Sequence, residues 1–235
     1  MKIKILYEDK DILAIDKPSG ILVHPDERSK EKTILDIFIK QYPKVAVVHR
    51  LDKETSGVLL LAKNAKAHEF LKQQFQDRSI KKTYIAIVSG SVKDERGFVK
   101  KPIGRSPNDF RKWLAGRGAR GELREAETFY RVLKRIKKDF TVLEVRPKTG
   151  RTHQIRVHMK YLNHPIVGDE LYNPNGLPLP LHSGPNPEHN PLRKGEEKGG
   201  GRMMLHAKSI EFKNLKGETI KIESPLLKEF QDVLK

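Results

Sequence analysis

The chain has no cysteine among its 235 residues. Disulfides, thiolate nucleophiles and cysteine-ligated zinc are therefore excluded. It also lacks any run long and apolar enough to span a bilayer. The N-terminus, MKIKILYEDKDILAID, meets acidic residues too early for a secretory apolar region, so a cytoplasmic location is expected. Negative charge is short as well. There are 30 Asp and Glu against 47 Lys and Arg, leaving a formal net charge of +17. Such an excess attracts polyanions, nucleic acid first and an anionic membrane surface second. No internal repeat and no clear linker interrupts the chain, which is long enough for one sizeable core, so a single domain is expected.

The pattern of apolar residues predicts short strands at 3–7 and 11–17, then a Pro- and Gly-broken loop, KPSGILVHP. A helix is predicted at 33–41. Two apolar runs, Val45–Val48 and Val58–Ala62, read as strands buried on both faces around the polar loop HRLDKETSG. Asn64 is placed to cap a helix running to about Arg78. KTYIAIVSG alternates like a half-buried strand. Residues 104–125 are basic and Gly-rich and read as a long mobile loop. A β-hairpin is predicted from Glu127–Ile136 and Phe140–Arg146, and a short helix in TGRTHQIRVHMKYL. Residues 173–201 read as irregular, followed by strands near 204–213 and 218–223 and a final helix opened by Pro225. Strands outnumber helices in mixed order. The expected class is α+β, a mixed and largely antiparallel sheet with flanking helices and loops.

Three segments concentrate chemistry. HRLDKETSG sets Arg50 and Asp52 in a loop between apolar strands, where active sites are often built. Asp52 can serve as nucleophile or base and Arg50 can bind phosphate; a surface turn with a salt bridge is the plainer reading. TGRTHQIRVH carries Arg151, His153, Gln154, Arg156 and His158 over about two helical turns. A solvated basic face is one reading. A metal site with His164 is disfavoured, because the spacing is not an i, i+4 pair and no acidic ligand lies nearby. Tyr84 in KKTYIAIVSG is, alone, an ordinary strand tyrosine.

HRLDKETSG resembles the signature loop of RluA-type pseudouridine synthases: His-Arg-Leu-Asp, two variable residues, then Thr-Ser-Gly. KPSGILVHP is similar to the family's first motif and KKTYIAIVSG to its Lys-x-Tyr strand. TGRTHQIRVHM with HPIVGDELY resembles its third motif and continuation, and LHAKSIEF its late strand. The resemblance implies the pseudouridine synthase fold and isomerisation of uridine in structured RNA, without metal or organic cofactor. It implies that Asp52 is the catalytic aspartate and that Tyr84 packs on the target base. Arg156 is implied as the arginine that pairs with the aspartate, and Ile155 as part of the apolar wall. The first motif begins near residue 11, leaving no room before it for the small RNA-binding domain many members carry. That points to a compact stem-loop such as those of tRNA, with ribosomal RNA also open.

The chemistry suits these residues. The bond from C1′ to N1 is cut, the uracil turns, and the base rejoins through C5, so nothing leaves the pocket. An ionised carboxylate can attack C1′, stabilise positive charge there, or take a proton from C2′, and a partner arginine would keep it ionised. The base must be flipped out of folded RNA, at a cost of a few kcal/mol. Arg111, Lys112, Trp113 and Arg117 in the basic segment are candidate RNA contacts, together with Arg50, Arg151 and His153. A monomer with no obligatory protein partner is expected. A non-catalytic RNA binder and a nuclease or glycosidase are the competing classes. The motif regions offer one plausible acid where glycosidases commonly use two.

Overall fold

A computed structural model of the chain describes residues 3–25, 31–116, 118–177, 179 and 202–234. The irregular reading of 173–201 therefore lies mostly outside the described residues. The described residues fall into two compact units, one drawn from Met1–Tyr84 and His206–Pro225, the other from Ile85–Leu205 and Leu226–Lys235. The class is α+β with a mixed, mostly antiparallel sheet arrangement.

The first unit is organised around β4 (Ser56–Ala62), buried along its whole length. Strand β2 (Ile12–Lys17) runs antiparallel on one side of it, with β1 (Lys4–Glu8) beyond. On the other side β12 (Leu205–Lys213) pairs in parallel at the start of β4, and β3 (Ala46–Val47) pairs antiparallel at its end. Strand β13 (Thr219–Glu223) returns along β12. Gly57 lies at the parallel crossing with φ +107°, and a methyl group there would collide with the Ala207 carbonyl. Only glycine admits both the backbone angle and the approach. Helix α1 (Ile34–Phe38) begins in a capping box between Thr33 and Asp36. Helix α2 (Ala65–Gln76) begins where Asn64 accepts from the Ala67 N–H at 2.9 Å. Apolar clusters form on both faces of the sheet, one joining Ala67 and Leu71 to Leu60 and Ile210, the other joining Ile34 and Phe38 to Leu51, Leu59 and Leu61.

Strand β5 (Lys81–Ser89) starts in the first unit and ends in the second. There β11 (Phe140–Pro147), β10 (Glu127–Ile136) and β6 (Arg96–Lys100) form an antiparallel run, with β6 at its edge. Helix α3 (Gln154–Tyr161) is buried from Gln154 through Met159, and α4 (Lys228–Leu234) anchors itself through Phe230.

Four expectations are corrected. Residues 104–125 are not one long loop: β7 (Ile103–Arg105) pairs with β8 (Trp113–Ala115) and β9 (Arg120–Arg124) in a small antiparallel sheet. Its strands, three to five residues long, are too short to give an apolar period, yet Ile103 anchors them at 1% exposure. The run at Val45–Val48 yields only the two-residue, half-buried β3, since β12 already holds the start of β4. The second half of β5 is continuously buried rather than alternating. The last helix starts at Lys228, three residues after Pro225.

Candidate active site

In the first unit the loop from His49 to Gly57 is held at both ends. His49 Nε2 accepts the Leu60 backbone N–H at 3.0 Å, which places the ring proton on Nδ1. The ring stacks on Phe75 with centroids 4.8 Å apart. Burial, with Lys82 nearby as the second cause, pushes this imidazole down to about 3. It is a neutral structural anchor.

The segment just after Asp52 is clamped by the loop that follows β2. Lys17 is fully buried, and its ammonium donates to the carbonyls of Lys53 (2.8 Å), Thr55 (2.8 Å) and Pro18 (2.9 Å). Ser19 Oγ donates to the Glu54 carbonyl at 2.7 Å, and the Gly20 N–H to the Lys53 carbonyl at 2.9 Å. The Thr55 N–H closes the turn onto the Asp52 carbonyl at 3.1 Å. A buried ammonium survives because its protons meet carbonyl oxygens, and in doing so it fixes the backbone that carries Asp52.

Asp52 itself is half-buried, and Arg50 is exposed. Tyr84, on β5, packs against the cluster that contains Leu51 and Ala207. Its phenol is pushed well above its ordinary value, first by burial and second by the Asp52 carboxylate. The structure thus brings Asp52 and Tyr84 into electrostatic reach. Two residues before Tyr84 on the strand, burial pushes the Lys82 ammonium down to about 8.

In the second unit a buried glutamine builds the turn before α3. Gln154 Oε1 accepts from Thr149 Oγ1 at 2.7 Å and from the Arg151 N–H at 3.0 Å. Its Nε2 donates to the Glu127 carbonyl (2.9 Å) and to Thr128 Oγ1 (3.0 Å). His153 stands at the N-cap position of the helix with φ 54°, its Nδ1 2.9 Å from the Tyr172 hydroxyl. Arg156 donates Nε to Asp169 Oδ2 at 2.7 Å and Nη2 to Oδ1 at 2.9 Å, with both side chains buried. Its guanidinium lies 5.0 Å from the centre of the Tyr172 ring. The Tyr172 hydroxyl accepts the Trp113 N–H at 2.9 Å, tying β8 to this cluster. Ile155 is buried, and Arg151 Nε donates to the Glu125 carbonyl.

Trp113 is half-buried, packed with Ile103, Val157 and Tyr172 and covered by Arg105 at 4.8 Å. Arg111 forms a bidentate pair with Asp109 at 2.9 and 3.0 Å, and Lys112 lies 3.8 Å from the same carboxylate. Arg117 lies outside the described residues. Both ring nitrogens of His158 are engaged, one by Thr128 and one by the Lys101 carbonyl, and His164 contacts the Ser89 carbonyl. Among the described residues no group of three or more His, Cys, Asp or Glu could hold a metal ion. No helix among them is long and apolar enough to cross a membrane.

Sequence reasoning gave no role to Lys17, Asp169 or Tyr172. Each stands inside a quoted motif, but its partner lies too far along the chain for spacing to show it.

A mixed sheet carrying an aspartate on a clamped loop beside a half-buried tyrosine, on a strongly basic chain, fits the fold and site of a pseudouridine synthase. A family model described as RNA pseudouridylate synthase matches residues 11–161, and the chain belongs to that family, in its RluA-type branch. Ribosomal large subunit pseudouridine synthase D of Xanthomonas campestris is 38% identical over 239 residues, covering 99% of this chain and 68% of its own. An uncharacterized RNA pseudouridine synthase of Aquifex aeolicus is 43% identical over 180 residues, 72% of this chain and 56% of its own. YlyB of Bacillus subtilis, an uncharacterized RNA pseudouridine synthase, is 34% identical over 244 residues, 100% and 72% respectively. The chain thus spans between about half and three-quarters of these relatives' lengths. The solved human RNA pseudouridylate synthase domain containing 1 matches with a TM-score of 0.73 and 25% identity, over 96% of this chain and 84% of that one. The enzyme class these matches indicate is an RNA pseudouridine synthase, an isomerase acting on RNA.

Proposed function

We propose that this chain converts specific uridines in folded ribosomal RNA to pseudouridine, with Asp52 as the group that acts on the sugar. The observation that carries this reading is the clamped loop of the first unit. Lys17, Ser19 and Gly20 fix the backbone just after Asp52, and Tyr84 stands within reach of its charge. A carboxylate whose position is set before substrate arrives spends no binding energy on being ordered. Large-subunit ribosomal RNA is favoured over tRNA because relatives such as that of Xanthomonas campestris are named for it.

In this reading the glycosidic electrons leave with N1, the base turns in place, and C5 takes up the bond to C1′. The C5 proton departs and N1 gains one, so the reaction is balanced without a cofactor. Arg156 holds the aspartate ionised, the role its motif implies, and Ile155 lines the base pocket. Arg50, Arg151 and His153, with Arg111, Lys112, Trp113 and Arg117 of the basic segment, contact RNA.

The test is Asp52→Asn, incubated with large-subunit ribosomal RNA transcripts and followed by nucleoside chromatography. Turnover is expected to fall by about 10⁴ or more, with RNA affinity within a few-fold. Residual activity above about a hundredth of wild type would remove Asp52 from its assigned role. Free uracil as the product would mark a glycosidase, and binding without product a non-catalytic RNA binder.

A further inference from the structure

The outward face of the β6–β10–β11 run carries a patch that the proposed chemistry does not use. Cross-strand partners share a face of a sheet. The register places Phe98 opposite Phe129, and Phe129 opposite Arg146. One row over stand Arg96, Arg131 and Glu144; on the other side are Lys100 and Glu127, with Lys148 at the strand end. Val99, Thr128, Tyr130, Val145 and Pro147 take the opposite, buried face.

Phe98 is 55% exposed, on an edge strand, beside the half-buried Phe129. The strand is pinned in this sense from below. Gly97 leaves the space that the Tyr130 ring fills, and any larger residue there would strike it. The cations around the two rings are held in place by two carboxylates. Glu127 bridges Lys100 at 3.5 Å and Lys148 at 3.1 Å, and Glu144 bridges Arg131 at 3.3 Å and Arg146 at 2.7 Å. Arg96 has no acidic partner among the described residues. Five cations against two carboxylates leave a surplus of three positive charges.

We infer that this face is a docking platform for an unpaired stretch of RNA, with bases stacked on Phe98 and Phe129 and phosphates met by Arg96, Arg131 and Arg146. The inference rests on the reading of the chain as an RNA-modifying enzyme and extends it to a surface that holds none of the proposed catalytic residues. Exposed flat rings on a sheet, ringed by guanidinium groups, match what single-stranded RNA presents: stackable bases on a regular run of negative charge. A protein partner fits less well, because it would have to supply carboxylates to match the three surplus positive charges, whereas an RNA strand brings a phosphate with every nucleotide.

The test compares Phe98→Ala, Phe98→Leu and Phe98→Tyr by filter binding to a uridine-rich single-stranded RNA and to a large-subunit ribosomal RNA transcript. Ala and Leu should weaken binding about tenfold, Tyr should retain it, and the single-turnover rate at saturating RNA should stay at wild-type level. Arg96→Ala should lower the slope of log affinity against log salt by about 0.7 to 0.9, and Arg146→Ala, whose guanidinium is already held by Glu144, by less. Wild-type affinity in Phe98→Ala, or in Phe98→Leu, would overturn the platform. So would loss of self-association or of a protein partner in Phe98→Ala with RNA affinity unchanged. The two readings fail separately. An enzyme that makes pseudouridine but binds RNA equally well without Phe98 loses only the platform; one that binds through Phe98 but makes no pseudouridine loses only the proposed activity.

Discussion

A phenol raised by burial and by a neighbouring carboxylate keeps its proton at neutral pH, and this constrains what Tyr84 can do. Such a group is a poor base alone. It can take the C5 proton only if its own proton leaves at the same time, and Asp52 is the carboxylate whose charge it feels. Stacking on the uracil would need only the ring. Tyr84→Phe keeps the ring and removes the relay, whereas Tyr84→Leu removes both. We expect both variants to lose about 10²–10⁴ in turnover, read as pseudouridine by nucleoside chromatography. Near wild-type product from the Phe variant would reduce Tyr84 to a stacking surface. Arg156 poses a different question, because one edge of its fork, Nε and Nη2, is committed to Asp169 in a buried pair. Arg156→Lys keeps the charge but cannot make two parallel bonds. It is expected to lose stability by about 1–3 kcal/mol in urea unfolding as well as turnover. A variant with normal stability and normal turnover would deny Arg156 both roles.

The anchors of whole elements have their own signature in pH. His49 ties the start of its loop to β4 as a neutral ring, and burial lowers it to about 3 from the ordinary value near 6.5. Between these two values the unfolded chain binds a proton that the folded chain refuses, so stability rises with pH across that window. The contribution is fully present above about 6.5 and is lost as pH falls towards 3. His49→Gln should flatten the acid limb of stability between about pH 3 and 6.5, measured by urea unfolding at several pH values. A limb as steep as wild type would move that pH dependence to other groups. Elements with such local signals were legible in the sequence. The Asn64 cap and the strands around the Lys137–Asp139 turn stand where the pattern put them. Elements decided by partners were not. The small sheet of β7, β8 and β9 is invisible to periodicity because its strands are only three to five residues long and are stabilised by Ile103, by the Trp113–Tyr172 bond and by Arg105 over the indole. The site divides in the same way. Asp52 and Tyr84 stand out by motif, but the Lys17 clamp spans 36 and 38 residues to its acceptors and leaves no spacing to read.

Across the whole chain, a formal charge of +17 makes RNA binding depend on salt, since each phosphate neutralised releases a counterion. The slope of log affinity against log salt therefore counts contacts, and single substitutions ask which cations are counted. The basic residues of the small sheet are not equivalent. Arg111 is already held by Asp109, which Arg111 lowers to about 2, while Arg120 is exposed with no acidic partner among the described residues. An exposed ion pair is worth at most about 1 kcal/mol, so an RNA phosphate can compete for Arg111, but it must displace the carboxylate first. Arg120→Ala should then reduce the slope by about 0.7 to 0.9, the full value for one phosphate, and Arg111→Ala by less. Asp109→Ala should strengthen binding at low salt, because it frees Arg111 and removes a negative charge from the RNA track. Filter binding across a salt series, with Tyr84 and Asp52 intact, separates these cases. Unchanged slopes in all three variants would place the RNA track away from β7, β8 and β9.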